Sequence, residues 1–162
     1  MSSAVCGLRL QLRLDADPVL VSVTRRFVED ALKRFVSDRD LVSRVAMTAH
    51  ELLENAAKYA RDRAAELTVT LDQAGGGKGQ VTLRLSNDTT PAHIDRLRQI
   101  FSEMDACRDP LALYVELMRR NARRPDVSGL GLARILAEGE MTLGLSVDGR
   151  TATIVARAPV GQ

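Results

Sequence analysis

The sequence predicts an α+β fold: a two-layer α/β sandwich in which a mixed, mostly antiparallel sheet carries its helices on one face. Three observations predict it. Residues 8–14 (LRLQLRL) alternate strictly between apolar and polar side chains, as a half-buried strand does. Two further pairs of strand-like segments surround turn signals, AGGGKG between 66–72 and 80–86 and DG between 141–147 and 151–158. Helix-start signals separate these strands, so the chain reads β-α-α-β-β-α-α-α-β-β.

Aspartate or threonine followed by proline marks three of the predicted helix starts. The polar side chain caps free backbone N–H groups, and proline fits the first helical position. Ser37 or Asp38 is the expected cap of the second helix. The predicted helices cover residues 18–36, 38–63, 91–105, 110–121 and 129–138.

The composition is that of one globular domain. The chain has 162 residues, of which 45% are hydrophobic and 27% charged, and its formal net charge is +2. We therefore predict a single domain over residues 1–162, large enough to bury most of the surface of its unfolded chain. Only 3% of the residues are aromatic, so neither charge nor base stacking favours a nucleic-acid partner.

Nothing in the sequence predicts export or a membrane location. Cys6 and Cys107 stand alone, without metal-ligand or redox spacing, which favours a reducing compartment. The N-terminus lacks the basic and apolar regions of a signal peptide. No apolar run approaches the roughly 20 residues of a membrane-spanning helix. The expected location is the cytoplasm.

The second predicted helix has an unusual polar face. In TAHELLENAAKYARD, residues 48–62, the side chains of Glu51, Asn55, Lys58 and Asp62 fall within an arc of roughly 60°. The opposite side of the helix is apolar and is expected to face the core. The polar face is either a solvated surface with weak charge pairs or the wall of a site.

The residue types on this face are ones that can hold a metal ion and phosphate groups. The amide oxygen of Asn55 is a hard ligand, suitable for a Mg²⁺ that also holds phosphates. Glu51, one turn earlier, is placed to orient or deprotonate an attacking water or hydroxyl. Lys58 offers a positive charge to a phosphate, and Tyr59 lies at the edge of the arc.

A glycine-rich segment supplies a second motif. SGLGLAR places Gly129 and Gly131 at the start of a predicted helix, with Ser128 as a candidate cap. Glycines let the backbone approach a ligand closely, and free N–H groups at a helix start attract anions. Alone, such a segment is more often just a tight turn, so its weight comes from its combination with the polar helix.

At HELLENAAKYA and SGLGLA the sequence resembles the GHKL ATPase superfamily, which includes histidine-kinase catalytic domains and the small anti-sigma-factor kinases. The first segment resembles that superfamily's N box and the second its G2 box, and the predicted element order agrees with its Bergerat-type fold. The resemblance implies ATP and Mg²⁺ as ligands, with the metal at Asn55 and Glu51 as the general base. It also implies nucleotide contacts from Lys58, Tyr59, Gly129, Leu130, Gly131 and Leu132.

The chain departs from the superfamily where a D-x-G-x-G segment normally reads adenine. Here NDTTPAHID follows the strand, so Asn87 takes the aspartate's position, and Thr89 and Pro91 replace the glycines. An amide can still pair with adenine, and Asp88 is a rival if the register shifts by one. ATP and Mg²⁺ binding are therefore conditional on this region admitting a nucleotide.

Residues 89–128 would take the position of the superfamily's ATP lid. The arginines near its end, and Arg134 beyond it, suit phosphate recognition or form a solvated helix end or a partner-binding patch; those of the lid are Arg119, Arg120, Arg123 and Arg124. His50 is expected to flank the pocket, and His93 to lie at the surface of its helix. The core is expected to include Met47, Met104, Met118 and Met141.

The resemblance predicts a stand-alone ATP-binding regulatory protein, either a serine/threonine protein kinase or an anti-sigma-like switch. Its partner would be a small regulatory protein, a STAS-type antagonist or a sigma-factor-like protein, and the sequence leaves a homodimer open. Two alternatives also stay open. One is a catalytically inactive protein-binding module of the same fold, and the other is a simple Mg-dependent ATPase.

Overall fold

The fold is described from a computed structural model, which covers residues 5–73, 78–124 and 129–161. These residues form five strands and five helices in the predicted order. In chain order the elements are β1 (Val5–Asp15), α1 (Pro18–Leu32), α2 (Arg39–Tyr59), β2 (Ala64–Gln73), β3 (Gly79–Asp88), α3 (Pro91–Ala106), α4 (Pro110–Arg123), α5 (Leu130–Ala137), β4 (Thr142–Asp148) and β5 (Thr151–Val160).

The strands form one sheet in the order β1-β2-β3-β5-β4, and all neighbouring strands are antiparallel. The two predicted hairpins, β2–β3 and β4–β5, are confirmed. Pairing β5 with β3 places the C-terminal hairpin beside the central hairpin. One row across the sheet joins Leu67, Leu85 and Ile154 by direct register, so their side chains share one face.

That face is apolar and carries the helices, whereas the other face is polar. In β2 the buried residues Leu67, Val69 and Leu71 alternate with the partly exposed Thr68 and Thr70. α2 packs across the central strands, α1 packs on α2 and β1, and α3 lies against β4. The predicted α+β two-layer sandwich is confirmed, with its core between the sheet and α2.

Four of the predicted helix caps are present. The side chains of Asp17, Asp38 and Asp109 each accept two backbone N–H groups of the following helix, and Thr90 accepts one. These contacts satisfy donors that have no partner inside the helix. The second helix is therefore capped by Asp38, the second of the two candidates.

α2 ends at Tyr59 rather than near Arg63, because the following residues pair with the end of β3. The N–H of Arg61 donates to the carbonyl of Asp88 at 2.9 Å, which removes this segment from the helix. Asp62 consequently lies outside the polar face that a longer helix predicted.

Some predictions fall outside the described residues: most of the AGGGKG turn (74–77), and the candidate cap Ser128 in the segment 125–128. Met104 and Met141 are buried as expected. The prediction that Met118 belongs to the core is wrong, because this residue lies on the exposed side of α4. No helix in the described part of the chain is long and apolar enough to cross a bilayer.

Candidate functional site

The polar face of α2 forms one wall of a cleft whose other walls come from α4 and the start of α5. The cleft has a volume of about 350 Å³, near the lower end of the usual range for small-molecule sites. Eight of the nine predicted site residues line it: Glu51, Asn55, Lys58, Tyr59, Gly129, Leu130, Gly131 and Leu132.

The packing of α2 explains why these polar side chains meet in a cleft. The opposite face of the helix is fixed in the core by Leu52, Leu53 and Ala56, all with no exposed surface. Turning that face inward turns Glu51 and Asn55 outward, toward α5. The apolar half of the helix thus decides where the polar half points.

Glu51 is held by an ion pair across the cleft. Its Oε1 accepts a hydrogen bond from Nη1 of Arg134 at 2.8 Å, and its side chain is only 12% exposed. Arg134 also donates through Nε to Oε2 of Glu138 at 2.7 Å. The hydrogen bond to Glu138 has the larger effect on the pKa of Arg134 and the one to Glu51 the next largest, and together they raise this pKa above its already high ordinary value.

Two glycines, Gly129 just before α5 and Gly131 in its first turn, stand where neighbouring side chains leave no room for a Cβ atom. A side chain at Gly131 would place its Cβ only 2.6 Å from Oε2 of Glu51. Gly129 has a φ of +109°, and a Cβ there would meet Ile100 of α3 at 2.8 Å. Gly129 precedes the helix without a side-chain cap. Because residues 129–132 line the cleft, the N–H groups at the start of α5 lie beside it.

Tyr59 ends α2 at one edge of the cleft and is anchored there. Its carbonyl accepts the hydroxyl of Thr89 at 2.6 Å, and its ring stacks on His93 with centroids 4.0 Å apart. His93 was expected at the surface, but it is only 8% exposed. Burial, and secondarily the charge of Arg96, lower the pKa of His93.

Asn87 is the predicted site residue that does not line this cleft. It lies at the end of β3, where its amide donates to the carbonyl of Asp88 at 3.3 Å. Both residues line a separate shallow cavity with Arg13 and Thr151. The adenine-reading role of Asn87, and that of its rival Asp88, therefore has no support from the geometry of the cleft.

His50, which was expected to flank the cleft, does not line it. It lines a groove on the other side of α2 with Arg25 and Glu29 of α1. Its Nε2 lies 3.4 Å from Glu54, whose side chain reaches the cleft. His50 is one position from Glu51, and a helix turns neighbours by about 100°, which explains why the two side chains diverge.

Comparison with protein-family models finds no match, and comparison with curated protein sequences finds none either. The fold is nevertheless similar to that of a chain in the crystal structure of the SiaB–SiaC complex from Pseudomonas aeruginosa. The TM-score is 0.65 at 17% identity, over 93% of this chain and 89% of that chain. At this identity the likeness supports the shared fold.

Four residues of the cleft were not among the predicted site residues: Glu54, Tyr114, Asn121 and Arg134. Tyr114 and Asn121 lie two turns apart on α4, a spacing that puts them on one face. This shared face could be predicted from their spacing in the sequence, but helical periodicity does not tell which face of α4 turns toward α2. Arg134 was considered only as a general phosphate or surface arginine, and its pairing with Glu51 depends on the packing of α5.

The donor set of the cleft suits a magnesium ion bound mainly through phosphates. Asn55 offers an amide oxygen, with Glu51 and Glu54 near it on the same wall. Within residues 5–73, 78–124 and 129–161, no group of three or more His, Cys, Asp or Glu side chains is arranged around a metal. Mg²⁺ commonly takes one or two protein ligands together with substrate phosphates and water, so these residues fit the ion.

Proposed function

We propose that this protein is a GHKL-type, ATP-binding regulatory protein that transfers a phosphoryl group to a hydroxyl of a small partner protein. The observation that supports this most is the convergence of two motifs distant in sequence. The polar residues of α2 and the glycine turn before α5 face each other across one cleft. This is the arrangement expected of a metal–phosphate wall opposite a phosphate-binding helix start.

In this proposal Asn55 holds Mg²⁺, which neutralises charge on the phosphates when it is bound. Lys58 and the N–H groups at the start of α5 orient the phosphates, and Tyr59 bounds the nucleotide end of the cleft. The carboxylate of Glu51 accepts the proton of the partner's hydroxyl as that oxygen bonds to the γ-phosphorus. The bond from the γ-phosphorus to the β–γ bridging oxygen breaks, and ADP leaves with the electron pair.

A protein partner is supported by apolar rows on two helices. α1 exposes Val19, Val23 and Phe27, which recur every four residues on the side opposite its core face. α4, whose inner side lines the cleft, exposes a similar row that includes Val115 and Met118. Contiguous apolar surface of this kind marks interaction sites. The structurally similar chain was likewise solved in a complex of two proteins.

Calorimetric titration with Mg-ATP tests the nucleotide site. The wild type should bind Mg-ATP, and Asn55→Ala should lose this binding. Asn87→Ala is the matched control, because it also removes one side-chain amide but from outside the cleft, and it should keep the binding. Absence of wild-type binding at millimolar nucleotide would contradict the proposal. Loss of binding in Asn87→Ala alone would move the site to the end of β3.

Phosphoryl transfer is tested with radiolabelled ATP and a partner protein that has first been isolated by its binding to the wild-type chain. Glu51→Ala should still bind Mg-ATP but no longer label the partner, because it lacks the base, whereas Asn55→Ala should lose both functions. A Glu51→Ala protein that labels the partner at the wild-type rate would remove Glu51 from the reaction. Hydrolysis without a labelled partner would identify a simple ATPase.

A second candidate function is a binding module without catalysis. Two observations favour it: Asn87 lies outside the cleft, and Glu51 is paired with Arg134 instead of being free to accept a proton. This alternative predicts that partner binding, measured by sedimentation or calorimetry, is unchanged by Mg-ATP and by Asn55→Ala.

A further inference from the structure

The guanidinium of Arg134 has hydrogen-bonding capacity beyond its two carboxylate partners. An arginine carries five N–H donors in a planar fork, and here Nη1 reaches Glu51 while Nε reaches Glu138. The side chain is 42% exposed, and the residue lines the cleft. Donors on this group therefore stay available on the side of the cavity.

The charges around the cleft favour an exchange of partners. Lys58 also lines the cavity, and no ion pair involving it is found within the described residues. A phosphate group bearing two negative charges, placed between Lys58 and Arg134, attracts the guanidinium more strongly than one carboxylate does. Arginine also binds phosphate through two parallel hydrogen bonds.

We propose that Arg134 is an exchangeable phosphate ligand, which pairs with Glu51 before a ligand binds and transfers to the phosphate of the ligand when it binds. The transfer releases Oε1 of Glu51. This inference rests on the proposed function, and it explains how a carboxylate held by an arginine becomes available as a base. The cleft then exposes its base only after the phosphate has bound.

The exchange predicts opposite effects from the two members of one ion pair. Removing the charge of Glu51 frees Arg134 for the anion, so Glu51→Gln should bind phosphate compounds more tightly. Arg134→Gln should bind them more weakly. Each change should be about tenfold, the size of one charge-assisted hydrogen bond. The double variant should bind like Arg134→Gln, because without the arginine nothing is left for Glu51 to hold back.

The experiment is a calorimetric titration of each variant with two probes, inorganic pyrophosphate and Mg-ATP. Pyrophosphate reports the phosphate subsite without an adenine, so this inference and the nucleotide proposal can fail separately. Asp95→Asn and Arg98→Gln make the same changes of charge in an exposed ion pair of α3, neither member of which lines the cleft, and serve as matched controls. Both controls should bind each probe like the wild type.

Pyrophosphate affinities that rise in Glu51→Gln, fall in Arg134→Gln and are equal in Arg134→Gln and the double variant would establish the exchange, even where Mg-ATP does not bind. A double variant that binds pyrophosphate more tightly than Arg134→Gln would show that Glu51 acts by repelling the anion directly, and would overturn the inference. Weaker binding in both variants would identify a static bridge between α2 and α5 and overturn the inference. Lack of pyrophosphate binding by both the wild type and Glu51→Gln would also overturn it. Circular dichroism checks that each variant is folded. If Arg134→Gln is unfolded, Arg134→Lys replaces it, and the loss of the planar guanidinium is again expected to weaken binding.

Discussion

The ring of Tyr59 stacks on the imidazole of His93, with centroids 4.0 Å apart and 13° between the ring planes. Tyr59 is the last residue of α2 and lines the cleft, whereas His93 lies in the first turn of α3. The stack therefore joins the end of the cleft to the first turn of α3. Within the described residues, Nε2 of His93 is buried without a hydrogen-bond partner.

The buried imidazole predicts a loss of stability in acid. Since the pKa of His93 is lowered in the folded protein, the unfolded chain binds the proton more readily. The stabilisation of the folded state by the neutral, buried imidazole is fully present above the unfolded pKa of about 6.5. It is lost as the pH falls through that value toward the lower pKa of the folded state. The slope attributable to one proton is at most about 1.4 kcal/mol per pH unit.

Urea unfolding of the wild type and His93→Phe between about pH 7.5 and 5.5 measures this effect. Phenylalanine keeps a ring for Tyr59 but cannot take up the proton. The wild type should lose more stability over this range than the variant, while carboxylates contribute equally to both. Equal losses would show that His93 is not the group responsible.

Gly131→Ala should be coupled to Glu51. In the wild type the added Cβ meets Oε2 of Glu51 at 2.6 Å, so the carboxylate must move and strain its pair with Arg134. In a Glu51→Ala background the collision is absent, and the glycine-to-alanine change should stabilise α5 by up to about 1 kcal/mol. Chemical denaturation of the four proteins measures this difference.

The control for this cycle is Gly144→Ala in β4, where a Cβ would meet nothing within 4 Å. Its effect should be the same in both backgrounds. An equal effect of Gly131→Ala with and without Glu51 would show that the glycine is not needed for the close approach of the carboxylate.

Gly129→Ala should destabilise the protein by about 1–3 kcal/mol, because it adds strain at a positive φ to a collision with Ile100. Gly149→Ala is the matched control: its φ is also positive, at +58°, but its surroundings are open. Thermal unfolding should rank Gly129→Ala as the more destabilising change. Equal shifts would mean that Ile100 accommodates the methyl group.

The apolar row of α1 should contribute little to folding. Phe27→Ser on the exposed side is expected to change the free energy of unfolding by about 0.5 kcal/mol or less. Leu32→Ala, at a position 1% exposed on the core side, is expected to cost about 2–5 kcal/mol. A large loss in Phe27→Ser, measured by urea denaturation, would show that this row packs within the chain and is not free for a partner.

The sequence predicted the elements well because their signals are local. Alternation marked β1, the cap–proline pairs at Pro18, Pro91 and Pro110 marked helix starts, and Asp148–Gly149 marked the last hairpin. The apolar face of α2 likewise predicted which side would be buried. Such features depend on the period of a helix or strand and on the geometry of a cap, both of which are set by neighbouring residues.

The errors came where contacts distant in sequence override local preference. α2 stops at Tyr59 because Arg61 bonds to the end of β3, and His93 is buried because Tyr59 stacks on it. Helix propensity alone gives no warning of either event.

The sequence by itself determined two walls of the site, the polar face of α2 and the glycine turn before α5, but not the wall that α4 provides. Only the tertiary structure decided that Glu51 faces Arg134 across the cleft, that Gly131 makes room for its carboxylate, and that Asn87 lies elsewhere. Periodicity fixes the direction of a side chain relative to its own helix. The residue it meets depends on how the core packs one element against another.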